Sequence, residues 1–344
     1  MTPCERLIRS EIESKGPLSI ERFMEIALHH PTHGYYAKAP AIGGEADFIT
    51  APEISQMFGE IIAAWCVDLW YQMGCPSPFN LVELGPGRGT LMVDILKIFA
   101  QVPELWEGLH VYLIERNETL KDRQAQVLDA VQVTWCDHLC EVPTTTPAIV
   151  IANEFFDAFP ARQFTKTPEG HFEKHITLTH EKLTLVDLPC AETPSSLEDS
   201  PQAEDYLKDL CEFLGRTEGT ALILDYGYGN GTGHTVQALK SHMPVGLFEH
   251  IGNADITAHV NFGAFARIAE DLGLHVWGPT FQGDFLTQLG IVQRSERLKS
   301  HNPAEAALIA SQLMRLVHPH QMGTLFKVMA ICATDHLIPG GFDD

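Results

Sequence analysis

The sequence feature that most constrains the fold is a run of three glycines at alternate positions, Gly85, Gly87 and Gly89. The mostly apolar residues 79–84 before it are a strand candidate, and residues 91–100 after it show helical spacing. Glycines at such a junction let the backbone turn sharply and approach a ligand at the N-terminus of the helix. The sequence therefore predicts a ligand-binding loop between a strand and a helix.

Short apolar runs alternate with helical patterns beyond this loop. The predicted strands lie at residues 110–115, 131–135, 148–152 and 220–226, and a further helix at 120–128. This alternation is typical of an α/β fold, a mostly parallel sheet with helices on both faces. Antiparallel strands inserted into its connections are predicted near residues 162–165, 172–178 and 182–186.

The glycine run is compared with three kinds of cofactor loop. A dinucleotide-binding loop requires GxGxxG, but the sixth position counted from Gly85 is Thr90, and no GKS or GKT follows to make a P-loop. An acidic residue two positions before GxGxG, here Glu83, is the pattern of class I S-adenosylmethionine (SAM) methyltransferases. In that arrangement the loop passes under the methionine part of SAM, and Glu83 accepts a hydrogen bond from its ammonium group through water or neighbouring backbone. A tight turn that binds nothing is the alternative.

Two more acidic residues follow later strands. Glu115 ends the second strand, where a carboxylate accepts hydrogen bonds from two ribose hydroxyls, in NAD and in SAM equally. Asp137 follows the third strand, where an adenine contact is often made. Both are predicted to bind SAM. A solvated strand-end carboxylate is the alternative for Glu115.

The fourth predicted strand is followed by Asn-Glu-Phe-Phe-Asp-Ala-Phe-Pro, residues 153–160. In open α/β sheets ligands bind at the carboxyl ends of the strands. Glu154 and Asp157 would share one face of a helical turn and could grip a planar guanidinium, the five-donor group of arginine. The alternative is a helix cap at Asn153 with acidic residues favoured by the helix dipole.

The N-terminal part is predicted to be helical at residues 3–30, with a break at Gly16-Pro17, and again at 54–73. The stretch between them, rich in glycine and proline, is interpreted as a long ordered loop. We expect a helical cap with a cofactor-covering loop over residues 1–75 and a core over 76–344. Insertions are expected around 160–215 and 230–320. Smaller elements are predicted as an exposed acidic loop at 189–205, a helix at 303–317 and a strand at 323–330.

Charge and composition limit the partners. With 23 Lys and Arg against 45 Asp and Glu, the net charge is −22, which disfavours nucleic acid and suits a basic target segment. No apolar run approaches the ~20 residues needed to cross a bilayer, so no membrane insertion is expected. The eight cysteines form no CxxC pair, and we expect free thiols in a reducing compartment. The expected location is the cytoplasm, or the mitochondrial matrix for a eukaryotic source.

Seven blocks of the sequence resemble the MidA-type SAM-dependent methyltransferases, which include a mitochondrial complex I assembly factor that methylates arginine. These blocks are residues 30–36, 47–60, 81–96, 149–164, 222–229, 254–265 and 323–329. The resemblance implies a class I SAM-methyltransferase (Rossmann-like) core with an N-terminal cap. It also implies symmetric arginine dimethylation of a protein, with a subunit of the complex I peripheral arm as the target in the mitochondrial relatives.

The resemblance implies that Gly85, Gly87 and Glu115 bind SAM and that Asn153, Glu154 and Asp157 line the methyl-transfer site. We count Asn153 also among the cofactor-binding residues. The cap and substrate residues are expected to be His33, Tyr35, Tyr36, Pro52 and Glu53. This chain departs from the family pattern at Asn261 and at residues 238–242, which bears on substrate recognition.

The histidines are a separate question. His29, His30 and His33 could suggest a metal site, but Pro31 interrupts the helical spacing and no partner ligands appear, so no metal is expected. His259 is a candidate for orienting the target or accepting a proton, and a buried hydrogen-bonded histidine is the alternative.

Four functions are compared. The first is a protein arginine methyltransferase, with Glu154 and Asp157 as the guanidinium clamp. The others are a SAM-binding assembly factor with little catalysis, a small-molecule methyltransferase, and a dinucleotide enzyme, which Thr90 disfavours. The oligomeric state is not predicted.

Overall fold

The computed structural model describes residues 1–38, 50–129, 131–194, 196–230 and 233–342. The chain divides into two compact units. The first unit comprises Met1–Phe48, Phe156–Asp205 and Asn230–Asn261, and the second comprises Ile49–Phe155, Tyr206–Gly229 and Phe262–Asp344.

The helices are α1 (Pro3–Lys15), α2 (Ile20–His29), α3 (Ala51–Ile54), α4 (Gln56–Gln72), α5 (Thr90–Phe99), α6 (Pro103–Gly108), α7 (Glu118–Val127), α8 (Pro201–Thr217), α9 (Phe262–Asp271), α10 (Gln282–Gln288), α11 (Ile291–His301) and α12 (Ala306–Val317). Short turns of 3-10 helix occur at Leu139–Glu141 and Pro303–Glu305, and a π-helical turn at Pro319–Gly323.

The strands are β1 (Leu18–Ser19), β2 (Phe79–Leu84), β3 (Leu109–Ile114), β4 (Val133–Cys136), β5 (Ala148–Asn153), β6 (Arg162–Thr167), β7 (Gly170–Thr179), β8 (Lys182–Pro189), β9 (Glu198–Asp199), β10 (Thr220–Tyr228), β11 (Gln237–Lys240), β12 (Met243–Val245), β13 (Asp255–Thr257), β14 (Val260–Asn261), β15 (His275–Phe281) and β16 (Phe326–Cys332).

The second unit is built on a large sheet with the strand order β15-β16-β10-β5-β2-β3-β4. The strands from β10 to β4 pair in parallel, whereas β16 pairs antiparallel with both β10 and β15. The predicted α/β fold with a mostly parallel sheet is confirmed. Because β2 and β5 are buried along their whole length, both have mostly apolar sequences, with Asn80, Glu83 and Asn153 as the polar exceptions.

Helices α4 and α5 belong to this same unit. A Cβ placed on Gly59 of α4 would lie 2.6 Å from Cβ of Asp94 on α5, so the two helices approach closely at this glycine. Residues 51–72 therefore belong to the second unit, together with the large sheet. This division differs from the boundary expected after residue 75.

The first unit contains α1, α2 and two small sheets. In one sheet β7 pairs antiparallel with β1, β6 and β8, and β6 also pairs with β9; in the other the order is β12-β11-β13. Its core contains Phe23 and Met24 of α2, Ile176 of β7 and Ile256 of β13. The predicted inserted antiparallel strands and the helical start of the chain, with its break after Lys15, are confirmed.

Three element predictions need correction. The helix predicted at 54–73 is interrupted at Ser55, whose extended backbone starts α4 while its hydroxyl accepts a hydrogen bond from the Met57 N–H at 3.3 Å. The loop predicted at 189–205 is wrong, because β9 and the first turn of α8 lie in it and Glu198 is 2% exposed. The loop predicted before Ala51 lies partly outside the described residues.

Two further observations concern the chain as a whole. None of the helices in the described parts of the chain is long and apolar enough to cross a membrane. All eight cysteines are free thiols, as expected.

Candidate functional site

The glycine loop connects β2 to α5 in the second unit. Gly85, Gly87 and Gly89 have φ of 60°, 54° and 82°, values that side chains disfavour. A Cβ at Gly85 would in addition lie 2.8 Å from Cδ2 of Phe155. The loop therefore requires glycine for its backbone conformation, and at Gly85 for space.

Gln124 on α7 holds this loop from the side. Its Nε2 donates to the carbonyl oxygen of Gly87 at 2.7 Å and lies 3.4 Å from Oε2 of Glu115, and its Oε1 accepts the indole N–H of Trp135 at 2.8 Å. Gln124 is fully buried. Sequence reasoning missed it, because in a polar helix it looks no different from the exposed Gln126.

Glu115 lies just beyond the carboxyl end of β3, as predicted. Its Oε1 accepts the backbone N–H of Asn117 at 2.8 Å, and burial raises the pKa of the carboxyl group above its ordinary value. Asp137 follows β4 and forms an ion pair with Lys121 at 2.8 Å. That pair holds the pKa of Asp137 below its ordinary value.

Two buried acceptors lie near the carboxyl ends of the adjacent parallel strands β2 and β5. Glu83 is 3% exposed and Asn153 is 9% exposed. Oε2 of Glu83 and Oδ1 of Asn153 have no hydrogen-bond donor among the residues that the structure describes. Burial raises the pKa of Glu83 to about 8. A cationic donor bound here would satisfy acceptors that are costly to bury alone.

Glu154 follows β5 in a left-handed conformation, with φ of 51°. Its backbone N–H donates to Leu224 of β10 at 2.9 Å. Its Oε1 accepts hydrogen bonds from the Ala51 N–H at 3.0 Å and from Nδ2 of Asn153 at 3.2 Å, and its Oε2 accepts one from the Tyr226 hydroxyl at 3.4 Å. The carboxylate is thus held at the carboxyl end of β5 by donors on α3, β5 and β10.

The backbone after Glu154 differs from both predictions made for it. Residues 154–160, all described, form turns and bends without a helix. Neither the helical turn that would align Glu154 with Asp157 nor the alternative helix cap at Asn153 is found. The physical reason is that Glu154 takes positive φ to keep its N–H on β10, which no α-helix allows.

The Thr-Ala-Pro-Glu-Ile turn also lies in the second unit. Pro52 is buried in the first turn of α3, and Glu53 forms an ion pair of 3.5 Å with Arg88 of the glycine loop. Burial raises the pKa of Glu53, and its Oε2 has no donor within the described residues. This link between α3 and the loop was not predicted, although Arg88 stands inside the glycine motif.

The first unit holds the other predicted residues. Asp157 is 6% exposed, and its carbonyl oxygen accepts the Ala258 N–H at 3.0 Å. The Tyr36 hydroxyl donates to Oδ1 of Asp255 at 3.2 Å. Burial, then the charges of Asp255 and Asp157, raise the pKa of Tyr36 well above its ordinary value. Asp255, which sequence reasoning missed, thus lies in the same acidic environment as Asp157.

His259 is attached to a buried polar network in this unit. Its backbone N–H donates to Oγ1 of Thr235 at 2.7 Å, and the Thr235 hydroxyl and N–H donate to the two oxygens of Glu198, the N–H at 2.7 Å. Nε2 of Gln163 donates to Glu198 at 2.7 Å. The segment bearing His259 is therefore fixed through a carboxylate 61 residues earlier in the sequence.

The remaining cap residues lie in the segment after α2. The carbonyl oxygen of His33 accepts the Cys4 thiol at 3.0 Å, and its ring stacks on His30 with centroids 5.0 Å apart. The Tyr35 N–H donates to Ala27 at 2.9 Å, and Tyr35 is 6% exposed. Within the described residues no group of three or more histidine, cysteine or acidic side chains is arranged to hold a metal ion.

The structure therefore brings two sets of predicted residues together, one in each unit. In the second unit these are Glu83, Gly85, Gly87, Gly89, Glu115, Asp137, Asn153, Glu154, Pro52 and Glu53. In the first unit they are His33, Tyr35, Tyr36, Asp157 and His259.

This sheet order, with a glycine loop after its first strand and a carboxylate after its second, defines a class I SAM-dependent methyltransferase fold. Residues 61–280 match the model of the family described as "Putative S-adenosyl-L-methionine-dependent methyltransferase". The chain belongs to this methyltransferase family.

Two sequence relatives and one solved structure are consistent with membership of this family. The chain is 32% identical to protein arginine methyltransferase NDUFAF7, mitochondrial, of Rattus norvegicus, covering 99% of this chain and 86% of that protein. It is 34% identical to the Drosophila melanogaster homolog, covering 94% and 83%. A Burkholderia thailandensis protein described as a "likely methyl transferase", bound to S-adenosyl-homocysteine, superposes with a TM-score of 0.83 at 25% identity, covering 99% of this chain and 92% of that one.

The residues present fit SAM, the cofactor of this family. Glu83 and Asn153 offer buried acceptors without donors in the described chain, which suit an ammonium group, and Glu115 offers a carboxylate for ribose hydroxyls. Bound SAM supplies a methyl group on a positively charged sulfur.

Proposed function

We propose that this chain methylates arginine side chains of a protein, with Glu154 contacting the guanidinium group. The observation that carries the proposal is the placement of the Glu154 carboxylate at the carboxyl end of β5, held by hydrogen bonds to both of its oxygens. The names of the mammalian and insect relatives support the choice of arginine.

Arginine is a difficult nucleophile, because the lone pairs of the guanidinium group are delocalised and its pKa exceeds ~12. A fixed carboxylate can accept hydrogen bonds from two nitrogens of the guanidinium group. It then concentrates the positive charge on those two nitrogens and leaves the third nitrogen more electron-rich. Bound SAM would supply the methyl group to that nitrogen, its sulfur keeping the electrons of the carbon–sulfur bond, and the methylated guanidinium would release one proton to solvent. The protein contributes mainly orientation and electrostatics.

Asp157 remains a prediction for guanidinium binding on the strength of the family resemblance, because the helical turn expected to align it with Glu154 is absent. His259 and the cap residues Tyr35 and Tyr36 likewise remain predictions for substrate binding. Asp137 remains a prediction for the adenine contact. Each of these roles can be tested by substituting the residue concerned.

The substrate proposed is a basic protein segment, which the net charge of −22 favours. From the family resemblance we further propose symmetric dimethylation and a subunit of the complex I peripheral arm as the target. The relatives named above are mitochondrial proteins. We propose that this chain acts in a reducing compartment, the cytoplasm or the mitochondrial matrix, in keeping with its free thiols.

The experiment is to incubate the purified chain with radiolabelled SAM and a lysate from cells lacking the gene, and to locate the label by mass spectrometry. We expect label on arginine, lost in Glu154→Gln and retained in the control Glu104→Gln, a substitution on the exposed surface of α6. Label on lysine or only on small molecules would refute the proposal. Fragment ions that distinguish symmetric from asymmetric dimethylarginine test the finer claim.

A further inference from the structure

Tyr226, near the end of β10, contacts the site through one atom. Its hydroxyl donates to Oε2 of Glu154 at 3.4 Å, and its backbone N–H donates to Oδ1 of Asp225 at 2.9 Å. The ring is 5% exposed and packs against Phe326, with centroids 4.3 Å apart. Tyr226 and Phe326 are also direct partners in the pairing of β10 with β16. The hydroxyl therefore has little freedom to move.

The other oxygen of Glu154 is held from a different part of the chain. Oε1 accepts the N–H of Ala51, the first residue of α3, and the side-chain amide of Asn153. Ala51 and Tyr226 are 175 residues apart in the sequence, yet both donate to one carboxylate. A left-handed conformation is unfavourable for a non-glycine residue such as Glu154, and it persists where surrounding contacts fix it.

We propose that Tyr226 is a positioning residue for methyl transfer, acting through the carboxylate of Glu154, with the Ala51 N–H holding the opposite oxygen. This inference rests on the function proposed above. Hydrogen bonds donated to a carboxylate favour its ionised form and fix its orientation. A guanidinium needs both properties, because an imprecisely placed or protonated carboxyl group orients it poorly.

Two substitutions remove the two donors with little other change. Tyr226→Phe deletes the hydroxyl and keeps the ring on Phe326. Ala51→Pro deletes the N–H at the first position of a helix, where proline is tolerated, and the extended Thr50 before it suits a following proline. Tyr112→Phe, on β3 of the same sheet, is the matched control.

We expect Tyr226→Phe and Ala51→Pro each to lower kcat about tenfold or more, because a misoriented catalytic group loses this much. We expect the Kd for SAM to stay within about twofold of wild type, since the hydrogen bonds removed are both made to Glu154. The acid limb of the pH profile of kcat should move to higher pH, because the ionised carboxylate has lost a donor. Tyr112→Phe should behave as wild type.

Wild-type kcat in both variants would overturn the inference, and so would a loss of SAM affinity equal to the loss of kcat, which indicates a structural role. An unshifted acid limb would do the same. Glu154→Gln, measured in parallel, separates the two proposals. If Glu154→Gln keeps full activity, the proposed function of Glu154 fails; if it is inactive while Tyr226→Phe and Ala51→Pro are normal, only the positioning role fails.

Discussion

Gln124 and Gly87, 37 residues apart, are joined by a hydrogen bond of 2.7 Å from the side-chain amide to the backbone carbonyl oxygen. The same amide reaches Glu115, so one buried side chain connects the glycine loop with the predicted ribose carboxylate. The shape of the cofactor site therefore depends on a residue that is itself not predicted to contact the cofactor.

Gln124→Ala should weaken SAM binding about tenfold and lower stability by about 1–3 kcal/mol, because it leaves the partly buried Trp135 N–H without its partner. Titration calorimetry and thermal unfolding measure the two effects. Gln126→Ala, an exposed position two residues along the same helix, is the control and should change neither. Unchanged SAM affinity in Gln124→Ala would show that the loop holds its shape unaided.

Gly85→Ala should destabilise the chain by about 1–3 kcal/mol, since alanine is strained at φ of 60° and its Cβ would meet Phe155. Gly215→Ala makes a matched comparison, because Gly215 lies within α8 and a Cβ there meets nothing within 4 Å. That substitution should stabilise by about 0.5–1 kcal/mol. Denaturant titrations measure the stability of both variants. Equal unfolding midpoints for the two would contradict the requirement for glycine at position 85.

Without SAM, stability should fall as pH rises from about 4.5 towards 8. Burial raises the pKa of Glu83 to about 8, so across this range the folded chain keeps a proton that the unfolded chain has released. Glu83→Gln should flatten this dependence, whereas the surface substitution Glu104→Gln should preserve it.

SAM binding should release a proton near neutral pH, because its ammonium group favours the ionised form of Glu83. Calorimetry in buffers of different ionisation enthalpy measures this proton. Identical binding enthalpies in all buffers, or an unaltered stability profile in Glu83→Gln, would count against a neutral buried Glu83.

Thr235→Val should lower stability by about 1–3 kcal/mol, because the buried Glu198 and the partly buried His259 N–H both lose a hydrogen-bond partner. Thr184→Val removes an exposed hydroxyl in β8 of the same unit and should change stability by less than about 0.5 kcal/mol. Thermal unfolding compares the two variants. Equal effects would show that the Glu198 network is not a special support for the segment of His259.

Local patterns made much of the second unit predictable. The strands near Val82 and Ile151 are mostly apolar runs, and the three glycines at alternate positions indicate a sharp turn of the backbone. The 189–205 prediction failed because Glu198 is buried only through Gln163 and Thr235, which are distant in the sequence. An acidic stretch cannot show such partners before the chain is folded.

The candidate site was predicted only in part, because some of its residues follow a local pattern and others depend on partners distant in the sequence. Glu115 and Glu154 were predictable because each comes directly after a strand, and ligands of parallel sheets bind at the carboxyl ends of the strands. Tyr226 lies near the end of a neighbouring strand and the same rule could have found it, but its hydroxyl partner depends on the register of β10 with β5. Gln124 has no such signal, because nothing in an amphiphilic helix marks which amide turns inward.

Strand β16 pairs between β10 and β15, although it follows both of them in the sequence. During synthesis the nascent chain must therefore hold a gap in its sheet until residues 326–332 have left the ribosome. Until then β10 and β15 offer unpaired backbone that other chains could capture. A stop codon shortly before residue 326 would leave the sheet in two parts and the Tyr226 ring without its Phe326 support.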